Sequence, residues 1–465
     1  MNHPQPCELQ KRLLDWNLDA LLKPVVPAGK RGSYDRIFTP LITLWYLIYQ
    51  RLSPDQSLAL VVLDVLRGGA DALATNPCLP SQALRTTNTG SYSEARKRLP
   101  EAVLREVYEH SVRRLARGPA MGSLPGVQLI DGTLLATLAN PELSPEYPPA
   151  RNQHGTSDWC QLRCVAAFAW PGGAAQAACQ APTSTSEQAL AWEIFRQSAP
   201  GTLSVGDRNF GVFSVLQAAR HHRQEVLVRL TATRAKRLGG SHWQSGQQQL
   251  VTWTPTPHDQ LHAQAEATPV IGRLIFLRVE REGFKTVELW LFTTLLEGGE
   301  FTPQVLLELY GIRWQAETNF NALKTRLNLR ELSARTPEMV RKEFYAALIA
   351  YNLICEAIQS CAQTLKVSEQ KISFQAVRRA VTHGLATLIA QDGGKPRRLK
   401  GLLLPTRTKV RPNEPRQVRK RNQTYTPLRG SRADARIRAA NPLAQTCKSD
   451  PSAGLSPNPP LRSKS

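Results

Sequence analysis

VQLIDGT, residues 127–133, and TLSVGDRN, residues 202–209, are the two stretches that set the fold class. Each is a short apolar run closed by an acid, Asp131 or Asp207, with a glycine beside it. Apolar runs of this length bounded by turn residues read as buried strands. Leu134–Leu138, Leu162–Trp170, Ala174–Cys179 and Glu225–Thr231 read as further strands, with Pro171-Gly172-Gly173 as a tight turn. Ser186–Gln197, with Thr185 or Ser186 able to cap it, and Phe210–Arg223 carry helical spacing. Strands interleaved with helices predict a mixed α/β core over residues 121–231. Ligands collect at the C-terminal ends of strands in such sheets, which makes Asp131 and Asp207 candidates. The alternative for each is a turn or helix-capping Asp.

Working outward, residues 1–120 read as a helical domain, with apolar residues at helical spacing in Gln56–Arg67 and Glu101–Arg117. The run Phe38–Tyr49 is about 12 residues, short of the ~18 that span a bilayer, and reads as a buried helix. SYSEARKRLP, residues 91–100, offers Ser93 as a helix cap and presents Arg96, Lys97 and Arg98, either to a DNA backbone or to solvent. Residues 232–299 read as a β-rich insertion, with strands at Gln249–Trp253, Ile271–Val279 and Thr286–Thr293. Helices over Pro303–Leu329, Pro337–Thr364 and Phe374–Ala390 fill residues 300–394.

Charge narrows the partner. The 465 residues hold 59 Lys+Arg against 37 Asp+Glu, a net +22, which favours nucleic acid or an acidic membrane surface. From Lys395 onward there are 18 Lys+Arg and 3 Asp+Glu, so about two-thirds of the excess lies in the last 71 residues. That stretch is poor in apolar residues and reads as a disordered basic tail, 395–465. The first residues carry no apolar leader, and eight scattered cysteines read as reduced thiols of a cytoplasmic protein with no membrane partner. Cys160-x3-Cys164 near His154 lacks the second cysteine pair of a structural zinc site. The glycine-rich loop of an ATP site is not found either.

The chemistry is carried by the stretch after residue 303. On one continuous helix, Tyr310, Arg313, Glu317 and Lys324 fall at about 0°, 300°, 340° and 320°, inside a single arc. Leu309, Ile312, Ala316, Phe320, Leu323 and Leu327 form the neighbouring apolar stripe. An acid between two cations is commonly a ladder of ion pairs. Here it joins two strand-end acids, and three carboxylates can hold two Mg²⁺ ions for an in-line displacement at phosphorus.

Asp131-Gly132-Thr133, Gly206-Asp207-Arg208 and Tyr310-x2-Arg313-x3-Glu317-x6-Lys324 together resemble the DDE transposases of bacterial insertion sequences, specifically insertion-sequence family four with its YREK signature. The resemblance spans roughly residues 90–355 and includes YGIRWQAETNFNALKTRLNLREL and SYSEARKRLP. Phe210 departs from the family, which often has Tyr there, and the difference concerns packing. The resemblance implies a ribonuclease-H-like core in which Asp131, Asp207 and Glu317 are the catalytic metal ligands, with a β-rich insertion before Glu317. It implies Mg²⁺, replaceable by Mn²⁺, and cut-and-paste chemistry on double-stranded DNA at the terminal inverted repeats and the target. Tyr310, Arg313 and Lys324 would grip phosphates beside the scissile bond, with Arg208 as a further phosphate contact or the partner of a neighbouring carboxylate. Trp243, Trp253 and Trp290 lie where relatives stack a flipped base, although core packing is the ordinary role of a tryptophan. Trp314 is expected to pack. Cutting two ends together implies a homodimer. The competing readings are a metal nuclease that does not join, a DNA-binding protein with a dead site, and a glycosidase, which the flanking cations disfavour.

Overall fold

Strand β1 runs without a break from Val127 to Thr137 in the computed structural model, straight through Asp131. A first strand ending at Asp131 is therefore corrected: β3, Gly155–Trp170, pairs antiparallel with all of β1, from Val127 opposite Trp170 to Thr137 opposite Cys160. The structure describes residues 6–23, 37–74, 77–115, 123–152, 155–261, 264–280 and 286–382. The basic tail expected over 395–465 lies outside these residues, as do His154 and the end of the helix expected to reach Ala390. One compact unit comprises Met1–Arg278 and Glu288–Thr406; of the second, Val279–Val287 with Arg407–Ser465, only residues 279, 280, 286 and 287 are described.

Helices α1 Glu8–Asp15, α2 Asp19–Leu22, α3 Pro40–Leu52, α4 Leu58–Leu66, α5 Pro80–Ala83, α6 Gly90–Arg98 and α7 Glu101–Arg114 precede the sheet. After β1 come β2 Pro149–Asn152, β3, β4 Ala175–Pro182, α8 Glu187–Gln197, β5 Leu203–Gly206, α9 Phe213–His221 and β6 Glu225–Leu230. Then follow α10 Ala232–Gly239, β7 Gln248–Trp253, α11 Pro257–Leu261, β8 Val270–Val279 and β9 Val287–Thr293. The chain continues with α12 Pro303–Gly311, α13 Trp314–Asn321, a π turn Ala322–Arg326, β10 Glu331–Leu332, α14 Pro337–Leu365 and α15 Phe374–Thr382.

The strands form one mixed sheet in the order β2-β3-β1-β5-β6-β9-β8-β7, with β4 also on β3 and β10 on β1. β5 lies parallel to β1, and β6 parallel to β5. The strands expected in residues 232–299 are present, and they extend the sheet, because β9 pairs antiparallel with β6. Apolar residues on one face, including Ile130, Val165, Ala167 and Phe292, pack with Ile194 and Phe195 of α8 and Phe213 and Leu216 of α9. Phe210 is buried in the same cluster. On the other face Phe168 meets Phe320 of α13 and Tyr351 of α14.

The helices of residues 8–114 are not a free-standing domain. Glu343 of α14 is buried and pairs with Arg51 of α3 and Arg96 of α6. The Trp16 indole donates to Glu356 of α14. Asn352 of α14 bridges Ala175 of β4 and Ser111 of α7. The basic face of α6 is thus partly spent on structure: Arg96 serves Glu343, and Lys97 pairs with Glu94. α6 begins at Gly90, ahead of the expected cap Ser93.

The single helix expected over Pro303–Leu329 is corrected to three pieces. α12 closes at Gly311, and Ile312 and Arg313 donate to Leu309 and Tyr310 in tight three-residue turns. Glycine is a poor helix former, and such turns end an α-helix. α13 restarts at Trp314 and passes into the π turn that holds Lys324.

Candidate active site

The register of β1 and β5 brings Asp131 and Asp207 together. Leu129 pairs with Val205; Asp131 follows two residues later within β1, and Asp207 is the first residue past the end of β5. Asp207 lies within electrostatic range of the Asp131 carboxyl. Ile130 lies in the core under α8 and α9, so alternation turns Asp131 and Thr133 to the side of α13. The parallel pairing stops at Val205, which leaves both carboxylates where the strands part.

Asp131 Oδ1 accepts from the Gly132 N–H at 2.9 Å, and Asp207 Oδ1 from the Asn209 N–H at 2.8 Å. Burial pushes the Asp131 carboxyl up to about 6; the Gly132 N–H opposes this, Asp207 and Glu187 raise it further, and Arg313 lowers it. Burial, more than the charges around it, therefore disfavours the ionised form of Asp131.

Tyr310, Arg313, Glu317 and Lys324 stand unevenly about this pair. Arg313 lies at the break before α13 and donates to Glu317 Oε1 at 3.0 Å. Burial opposes the guanidinium charge, but Glu317, Tyr310 and Asp131 hold its pKa above the ordinary value. Burial raises the Tyr310 phenol, against the pull of Arg313 and Arg229, and Asp207 adds to the rise. Lys324 Nζ donates to Thr133 Oγ1 at 2.8 Å, which ties the π turn to β1 two residues beyond Asp131. Arg208 is exposed and makes no ion pair with another described residue.

Glu317 is not gathered with the two aspartates. Its side chain is 62% exposed and held by Arg313, which stands between it and Asp131 in the chain of charges. Among the described residues no group of three or more His, Cys, Asp or Glu side chains is arranged to hold a metal ion. The donor chemistry of Asp131 and Asp207 nonetheless suits a divalent cation: two neighbouring carboxylates offer hard oxygen donors.

The tryptophans of residues 232–299 differ in burial. Trp253 and Trp290 are buried, packed on Phe292 and on Phe276 respectively. Trp243 is half-buried, stacks edge-on against Trp290 and donates to Gly240 O. Trp253 and Trp290 thus pack in the core beside β7–β9, and Trp243 packs at its edge. Trp314, expected to pack, is 59% exposed beside Arg313, because α13 restarts there with Ala316 and Phe320 turned inward.

Sequence reasoning passed over three residues. Arg229 of β6 stands in electrostatic range of Tyr310. Glu187, the first residue of α8, pairs with Arg163 at 3.3 Å and accepts from Asn209. Asn209 in turn sits in the Asp207 turn. The signal for Glu187 was Ser186, already visible as a cap, which fixes where α8 begins; nothing in the spacing shows that it meets Gly132.

The family described as "Transposase DDE domain" matches residues 122–353. The transposase InsG of insertion sequence element IS4 from Escherichia coli K12 is 25% identical over 322 residues, 67% of this chain and 70% of that protein. The transposase of insertion sequence element IS421 from Escherichia coli is 36% identical over 69 residues, 15% of this chain and 19% of that protein. Among solved structures, a piggyBac transposase in a synaptic complex with hairpin DNA aligns with TM-score 0.40 and 10% identity over 85% of this chain and 81% of that one. With the matched domain enclosing both aspartates and the α12–α13 segment, the chain belongs to the DDE transposases of the IS4 group, enzymes that cleave and join DNA.

Proposed function

We propose that this transposase cuts the ends of an insertion sequence and joins them to target DNA at a centre made by Asp131, Asp207 and Glu317 on a ribonuclease-H-like core. The observation that supports the proposal is the parallel pairing of β1 with β5 just before the two aspartates, together with burial and the nearby Asp207 charge, which push the Asp131 carboxyl up to about 6. The core assignment is supported by the strand order β4-β3-β1-β5-β6, an antiparallel trio followed by two parallel strands.

The DDE family uses divalent metal ions. Two Mg²⁺ ions, or Mn²⁺ in their place, would supply activation of the attacking oxygen and stabilisation of the leaving one. Asp131 and Asp207 are fixed oxygen donors, held by the N–H groups of Gly132 and Asn209. Glu317 would complete the set of donors on leaving Arg313. That bridge is exposed on its acidic side, and exposed pairs contribute only about 0.2–1 kcal/mol. Arg313 so released offers its fork to a phosphate, as Lys324 offers a point charge and Tyr310 a hydroxyl. Arg208 extends the cationic rim, and Trp314 offers an exposed aromatic face on which a base can stack. A water attacks first to nick the end, and the freed 3′-OH then attacks target DNA, so no covalent enzyme intermediate is needed. Two ends cut together call for a homodimer on the terminal inverted repeats. The helical segment before residue 115, with Lys97 and Arg98 on α6, would add DNA contacts.

The test is strand transfer from a pre-nicked end. With Mg²⁺ and a target plasmid, the full chain is expected to produce molecules in which the 3′-end is joined to the target. Hydrolysis alone, with no joined product, would overturn the proposal in favour of a simple nuclease.

A further inference from the structure

Gly132 has no side chain, and the place a side chain would take is occupied. A Cβ built on Gly132 would fall well inside 3.0 Å of the Glu187 carboxylate group. Gly132 faces α8, because Ile130, two residues earlier on β1, packs in the α8–α9 core, whereas Asp131 faces the other way. Glu187 therefore backs the strand directly behind the first aspartate. Its other contacts reach the second: Asn209 Nδ2 donates to Glu187 Oε2, and the Asn209 N–H donates to Asp207 Oδ1. Gln188, the next residue of α8, donates to Asn209 Oδ1 at 2.6 Å and to Asn209 O at 3.0 Å. Arg163 of β3 holds the remaining Glu187 oxygen, and the Glu187 side chain is 16% exposed. Ser186 Oγ accepts from the Ala189 N–H and fixes the start of α8 under this contact.

We infer that Glu187 is a positioning residue for the reaction: seated in the slot left by Gly132 and bonded to Asn209, it fixes the spacing between Asp131 and the Asp207 turn. The inference rests on the reading that these two aspartates act together. It also accounts for the glycine in Asp131-Gly132-Thr133, which the backbone of β1 does not itself require: Gly132 is absent from the positive-φ positions.

The test uses the full-length chain in two assays: Mn²⁺ binding without DNA, followed by electron paramagnetic resonance, and Mg²⁺-dependent nicking of end DNA. Glu187→Ala is expected to weaken Mn²⁺ binding about tenfold and to slow nicking at saturating Mg²⁺ by a similar factor. Glu187→Gln keeps an acceptor for Asn209 and is expected to restore both to within about threefold of the parent chain. Gly132→Ala evicts the Glu187 carboxylate and is expected to match Glu187→Ala. The double variant should then be no worse than either single one, because the slot can be emptied only once. Parent-like binding and nicking in Glu187→Ala would overturn the inference. So would additive losses in the double variant, or equal losses in Gln and Ala variants that melt at the parent temperature. Asp131→Ala and Asp207→Ala run alongside: if they bind Mn²⁺ and nick normally, the reading of the aspartates itself fails, and if they alone are defective, only the role of Glu187 does.

Discussion

Asp131 is the most perturbed acid of the site, and its environment has a consequence for stability. The folded chain retains a proton on this carboxyl up to about pH 6, whereas the unfolded chain releases it near 3.8. Stability therefore falls as pH rises between those values, and the full penalty of the ionised group is present above them. Asp131→Asn removes that penalty. At pH 7.5 it is expected to stabilise the chain by about 1–3 kcal/mol, a gain that disappears by about pH 4. Thermal unfolding across that range measures it, and a variant less stable than the parent at pH 7.5 would contradict the account. Both aspartates were legible because each closes an apolar run. Glu187 was not, since its role depends on which face of β1 the empty side of Gly132 looks out from, and that is set by pairing with β3 and packing on α8.

At the scale of elements, the break between α12 and α13 matters most. A continuous helix would carry Tyr310, Arg313, Glu317 and Lys324 on one arc. The turn at Gly311–Arg313 and the π turn at Ala322–Arg326 distribute them instead, Arg313 beside Asp131 and Lys324 on Thr133. Helical spacing puts the four residues on one arc, but periodicity carries no signal for a local change of helix type. The same break exposes Trp314. Trp290→Ala, in the packed cluster with Phe276 and Trp243, is expected to destabilise by about 3–5 kcal/mol. Trp314→Ala should stay within about 0.5 kcal/mol of the parent. Denaturant unfolding separates the two, and a large loss in Trp314→Ala would show that this ring packs after all.

At the scale of the molecule, α14 connects what the sequence reading divides. Its buried Glu343 collects Arg51 and Arg96, its Asn352 reaches β4 and α7, and β9 carries the strands of residues 232–299 into the central sheet. Composition and turn residues showed where helical and strand-rich stretches begin, but not that the first helices and α14 share one core, because their contacts join residues more than 200 positions apart. This shared scaffold carries the paired strands β1 and β5, while Glu317 stands exposed. The account requires all three acids for cleavage even though only two stand together in the free chain. The most direct measurement is single-turnover nicking of inverted-repeat DNA in Mg²⁺ by Asp131→Ala, Asp207→Ala and Glu317→Ala, with end binding followed on the same preparations. The account predicts that each variant binds the DNA end and that each loses nicking by about a thousandfold or more. Normal nicking by Glu317→Ala, with the two aspartate variants inactive, would contradict it.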